Sequence, residues 1–104
     1  MNIEELTLYP DPFYSYATVL EGVSYNLEFK YNTRIDRWVI NLYDSDFNPL
    51  VLGKKLLPRI PILFRYVKEL TGYFLLVPIG EEQNFTNLKG REVWKYYKLV
   101  YVWE

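Results

Sequence analysis

The densest run of oxygen ligands in the chain is Asp44-Ser45-Asp46-Phe47-Asn48, where side chains able to hold a hard cation alternate along the backbone. A calcium loop opens this way, but it also needs Gly at its sixth position and a bidentate Glu at its twelfth. Pro49 and Lys55 occupy those positions. The segment therefore reads as a turn without metal, its Asp and Asn side chains bonding back to the turn backbone. Glu81-Glu82 is an adjacent carboxylate pair in a polar stretch, and no nucleophile or metal ligand accompanies it for acid–base work. Asn84-Phe85-Thr86 matches the glycosylation acceptor pattern, which matters only in a secreted eukaryotic protein. Lys54, Lys55 and Arg59, then Arg91, Lys95 and Lys98, form two modest basic clusters among aromatic residues. Barrels that stack nucleic-acid bases use that mixture, but on a continuous basic stripe that is missing here.

The absences are as informative. The chain has no His and no Cys. That removes zinc fingers, imidazole-based triads, thiolate nucleophiles and disulfides together. Twelve basic and 13 acidic side chains give a formal net charge of -1, so nothing pulls phosphate toward the surface at long range. We expect no cofactor, no metal, no nucleic-acid contact and no catalytic residue. The acidic start, Met1-Asn2-Ile3-Glu4-Glu5, lacks the apolar run of a signal peptide. No apolar stretch approaches the roughly 20 residues of a membrane span. A soluble protein made inside a cell, with no membrane partner, is the expectation.

The elements that would position these side chains are strands. Half of the 104 residues are hydrophobic and 19% are aromatic, which suits one well-filled domain over residues 1–104. Val23, Tyr25, Leu27, Phe29 and Tyr31 alternate with Ser24, Asn26, Glu28 and Lys30, the period of a strand with one wet face. Phe13 to Leu20 precedes it across Glu21-Gly22, a tight hairpin connection. Arg37 to Tyr43 puts Trp38, Ile40 and Leu42 on one face. The Asp44 to Pro49 turn then leads into Leu50-Val51-Leu52. Pro58 to Leu70 fits one to two turns of helix, with Pro61 at the first helical position, or an irregular crossing. Tyr73 to Val77 is apolar on both faces and predicts a strand buried on both sides. Gly80 to Gly90 reads as a polar loop, and Val93 to Trp103 as a final strand with Tyr97, Leu99, Tyr101 and Trp103 on one face.

The fold class is all-β: a small β-barrel or sandwich of six to seven strands with at most one short helix. Tyr25, Leu27, Phe29, Trp38, Ile40, Leu42, Leu75 and Val77 are the expected core. A domain this small cannot bury two faces of every strand, so surplus aromatic faces are expected to meet other proteins. Tyr14, Tyr16, Trp94, Tyr96, Tyr97 and Trp103 are the candidate intersubunit contacts. A free-standing β-barrel that binds oligonucleotide or peptide is the alternative. An enzyme would have to run on carboxylates, Tyr or Lys alone.

The order of features resembles the small baseplate plug proteins of contractile-tailed bacteriophages. A short leading strand ending in Leu corresponds to Leu6-Thr7-Leu8, a Pro and Asp turn to Pro10-Asp11, and an aromatic strand to Phe13–Leu20. A Gly turn and a Tyr-x-Leu strand correspond to Gly22 and Tyr25 to Asn32, and a Trp strand entering an Asp turn to Trp38–Asp46. Pro49-Leu50, Gly53 to Leu56, Leu63 to Tyr66, Gly72 to Val77, Asn87-Leu88 and Leu99 to Tyr101 complete the series. Extra Tyr and Phe residues, Pro12 and the Lys/Tyr/Trp-rich end depart from the pattern. The resemblance implies a subunit of the virion near the central hub of the tail baseplate, made in the host cytoplasm. It further implies contacts with hub, tail-tube or spike proteins, a homo-oligomer around the tail axis, and no catalytic residues to carry over.

Overall fold

The computed structural model describes residues 1–57, 60–63, 67, 69–79 and 93–104. The alternating apolar pattern is realised most directly in the first hairpin. Strands β2 (Phe13–Leu20) and β3 (Val23–Asn32) pair antiparallel from Phe13↔Lys30 to Leu20↔Val23. Glu21 and Gly22 close the hairpin with φ of 52° and 81°, the left-handed pair that matches the twist of two adjoining strands. Strand β4 (Arg37–Asp44) adds to β3, and β5 (Pro49–Leu56) adds to β4. The sheet order is β2-β3-β4-β5. Gly53, at φ 72°, forms a bulge in β5, and its N–H donates to Asn41 Oδ1 at 2.7 Å.

The second sheet uses both ends of the chain. Strand β1 (Asn2–Leu6) pairs with β8 (Tyr97–Trp103), β8 with β7 (Tyr73–Pro78), and β7 with the two-residue β6 (Ile62–Leu63). All pairings are antiparallel, and neither sheet closes on itself, so the fold is a sandwich of two four-stranded sheets. Leu20, Leu27, Phe29, Ile40 and Leu42 project from one sheet against Phe74, Leu76, Leu99 and Tyr101 from the other. Burying each aliphatic or Phe side chain stabilises by roughly 1.5–3 kcal/mol.

Tyr25, Leu27, Phe29, Trp38, Ile40 and Leu42 are buried as their alternation requires. Leu75 and Val77 are not core residues; they are half-exposed, and Phe74 and Leu76 face the opposite sheet. A run that is apolar at every position has no period to mark its inner face. The strand buried on both sides is β8, whose Leu99, Val100, Tyr101 and Val102 are all buried. It has β1 along one side and β7 along the other, whereas β7 is flanked on one side by only two residues.

Four further expectations are corrected. Val93–Tyr96 is a helical turn (α1), not the start of the last strand. Val93, Tyr96 and Tyr97 all pack on the core, and spacing of three and four residues meets one surface only on a helix. Within Pro58 to Leu70, Ile62 and Leu63 form strand rather than helix, while 58, 59, 64–66 and 68 lie outside the described residues. The leading strand ends at Leu6, so Thr7 and Leu8 belong to the crossing between sheets. With β1 and β6 included, the described residues hold eight strands rather than six or seven.

Candidate interaction surface

Strand β2 lies at the edge of its sheet and carries aromatic side chains on its inner face. Tyr14 stacks on Phe29 with ring centroids 4.8 Å apart, and Tyr16 stacks on the same ring at 5.6 Å. Tyr9, from the crossing segment, meets Tyr14 edge-on at 5.1 Å. Its N–H donates to the Tyr14 hydroxyl, and the Tyr16 hydroxyl donates to the Thr7 carbonyl at 2.8 Å. The two tyrosines therefore hold the crossing segment beneath β2. Burial pushes the Tyr14 hydroxyl up to about 12 and raises that of Tyr16 as well, so both stay neutral hydroxyls at any physiological pH.

The outward positions of β2 are uncharged and, apart from Ser15, apolar. Phe13 and Val19 are each 55% exposed, and Ser15 and Ala17 between them are exposed. Beside them the outer face of β3 and β4 carries a polar network. Asn41 Nδ2 donates to Glu28 Oε1 at 2.8 Å, and Asn26 Nδ2 donates to the Asp44 carbonyl. An open cleft at the end of this face is lined by Lys30, Asn32, Arg34 and Asn41 among others.

The Asp44 turn has an intramolecular role. Asp44 Oδ1 accepts from the N–H groups of Asp46 and Asn48, at 2.9 and 2.8 Å, and Oδ2 accepts from Asn48 Nδ2. Those bonds from Asn48 hold the exposed carboxyl below its ordinary value. The turn so fixed presents Phe47, a residue 63% exposed with its ring 6.2 Å from that of Tyr43, on a backbone at φ 62°. A bulky side chain in the left-handed region costs of order 1–3 kcal/mol and persists only where the surroundings impose it. Leu50 and Leu52 are exposed on the following strand.

A second polar centre joins the two sheets. Glu21, at the tip of the β2–β3 hairpin, accepts from Thr71 N–H at 2.8 Å, from Thr71 Oγ1 at 2.7 Å, and from the Tyr101 hydroxyl. Gly72 N–H donates in turn to that hydroxyl at 2.9 Å. Partial burial pushes the Glu21 carboxyl up, but the hydrogen bonds outweigh it and hold the group below its ordinary value. The Tyr101 hydroxyl is pushed up, first by burial and then by the carboxylate beside it.

The six candidate contact residues are not gathered in one place. Tyr14 and Tyr16 lie on β2, Trp94 and Tyr96 on α1, and Tyr97 and Trp103 on β8. Tyr97 is buried in the core; the other five are half-buried, with Tyr14, Tyr16, Tyr96 and Trp103 packed against it. Phe13, Val19, Phe47 and Leu52, which are not among the six, are more exposed than any of them. The odd, outward positions of β2 carried the available signal. Lys54 and Lys55 are exposed on β5, and Lys95 lies over the Trp94 ring at 5.6 Å. Arg59, Glu81, Glu82, Asn84, Thr86 and Arg91 lie outside the described residues.

The chain matches the family model described as "Cyanophage baseplate Pam3 plug gp18" over residues 3–104. No curated protein matches it.

Proposed function

The chain belongs to the cyanophage baseplate Pam3 plug family, which makes it a structural component of a phage tail baseplate; we propose that it works near the central hub through protein–protein contacts. Hub, tail-tube or spike proteins are the partners, and several copies surround the tail axis. The protein takes no part in catalysis and contacts neither nucleic acid nor membrane.

The observation that carries this reading is Phe47. A strained backbone and a solvent-exposed aromatic ring both cost an isolated protomer, and the Asp44 hydrogen bonds hold the two together in a stiff turn. A rigid exposed aromatic is the kind of residue that anchors an interface, because little freedom remains to be lost on binding. Half-buried Tyr14, Tyr16, Trp94, Tyr96 and Trp103 contribute further, separate contacts on β2, α1 and β8, and Tyr97 supports them from the core.

Phe47→Asn tests the proposal, since Asn accepts the left-handed conformation with less strain. The variant should fold with unchanged or raised stability, by ~1 kcal/mol, and its copies per purified tail should fall at least severalfold. Normal incorporation of the variant would remove Phe47 as an anchor and this reading of the surface with it.

A further inference from the structure

Among the described residues, four strands of the sandwich have an unpaired edge: β1, β6, β2 and β5. Exposed edges template pairing with other chains, and natural sheets blunt them with charge, Pro, bulges or shortness. Three of the four are blunted. Strand β1 carries Glu4 and Glu5, β5 starts at Pro49 and has a bulge with Lys54 and Lys55, and β6 is two residues after Pro61. Strand β2 is different. Phe13-Tyr14-Ser15-Tyr16-Ala17-Thr18-Val19-Leu20 has no charge, no Pro and a regular register along its whole length.

The orientation of its backbone follows from the hairpin. A two-residue turn makes Leu20 and Val23 a hydrogen-bonded pair, so the even residues of β2 bond to β3. The bond from Tyr31 N–H to the Pro12 carbonyl, at 2.8 Å, continues the same parity beyond the strand. The N–H and C=O groups of Phe13, Ser15, Ala17 and Val19 therefore point away from the sheet. They repeat at about 6.8 Å, a spacing that only another extended backbone matches.

We propose that β2 is a strand-acceptor edge, and that its occupant is an extended apolar segment of another baseplate protein flanked by Lys or Arg at both ends. This deepens the function proposed above and rests on it. The charge requirement comes from the ends of the strand, where Asp11 is exposed and Glu21 is held ionised by its hydrogen bonds. An antiparallel second copy, with Phe13 opposite Val19, sets Asp11 against Glu21 at both ends. An in-register parallel copy sets each carboxylate beside its own counterpart. Like charges directly opposite destabilise a strand pair, and a basic-flanked strand gains at the same places. The apolar requirement comes from the two faces of β2. An added strand lies beside Phe13, Ala17 and Val19 on the outside and beside the edges of Tyr14 and Tyr16 on the inside.

The chain has no Cys, so Ser15→Cys and Ala17→Cys give clean single labels. A maleimide should modify both in the free protein and react at least tenfold more slowly in purified tails. A photo-crosslinking residue at Ala17 should join the protein to an extended, basic-flanked segment of a different tail protein. Ala17→Pro deletes an outward N–H that β3 does not use. It should keep the circular dichroism of the wild type and lose its place in the tail. Equal labelling in the two states, or normal incorporation of the folded Pro variant, would show the edge to be open and overturn the proposal. A crosslink to a second copy, or to an acidic or helical segment, overturns the assigned occupant. Wild-type protein absent from purified tails instead overturns the baseplate reading, and this assignment falls with it.

Discussion

Replacing Glu21 by Ala removes the acceptor that three donors from the other sheet share. The Thr71 groups are exposed and regain water, so their loss counts for little. Tyr101 is different because it is fully buried, at 0% exposure, and its hydroxyl loses the partner to which it donates. An unsatisfied buried donor costs about 1–3 kcal/mol. Adding a discounted contribution from the Thr71 bonds gives a loss of about 2–3 kcal/mol. For a domain of this size that lowers the melting temperature by about 10–20 °C. Tyr101→Phe removes the same bond from the other side and leaves Gly72 N–H without its acceptor. Chemical denaturation of both single variants and the double variant should give a coupling energy of about 1–2 kcal/mol. The effect also has a pH signature. The native Glu21 carboxyl titrates below its unfolded value, so its stabilisation is complete above the ordinary glutamate range. It disappears as pH falls through the lower native value. The stability gap between wild type and Glu21→Gln should therefore narrow as pH drops through that window. Additive single effects, or a gap that does not change with pH, would show that the hairpin tip merely rests on the second sheet.

Three further outcomes follow from other parts of the structure. A Cβ at Gly72 would lie 2.0 Å from the Val102 carbonyl oxygen, so Gly72→Ala must push β7 from β8; thermal melting should show a loss of about 3 kcal/mol. The Tyr25 hydroxyl is buried with no hydrogen-bond partner among the described residues, so Tyr25→Phe should be neutral or stabilise by about 1 kcal/mol, and clear destabilisation would reveal a bound water. Asp44→Ala should speed hydrogen exchange at the Asp46 and Asn48 amides, while calorimetry of the wild type with millimolar calcium should give no saturable heat.

The strands from Val23 and from Arg37 were legible because each has a wet face, and period-two alternation then encodes both the strand and its inner side; Phe13 to Leu20 was legible instead from its aromatic and β-branched residues and the Glu21-Gly22 turn. The Asp44 turn was legible for a local reason as well: its staples span two to four residues. Where apolar residues fill every position, as in Tyr73 to Val77 and Val93 to Val102, alternation carries no information. There the opposite sheet decided. It selected Phe74 and Leu76 over Leu75 and Val77, and wound Val93–Tyr96 into a helical turn that carries Tyr96 and Tyr97 back to the core. Aromatic content likewise indicated that rings would be in surplus without indicating which. Exposure depends on sheet order, and sheet order joins residues far apart in the chain. The clamp between Glu21 and Tyr101 closes across 80 positions, a distance over which no local pattern reaches. Composition and short-range pattern thus determined an all-β domain without imidazole or thiol chemistry. Packing of one sheet on the other and the order of strands within each decided which side chains became core, which strands lie at the edges, and where an aromatic ring was left in solvent.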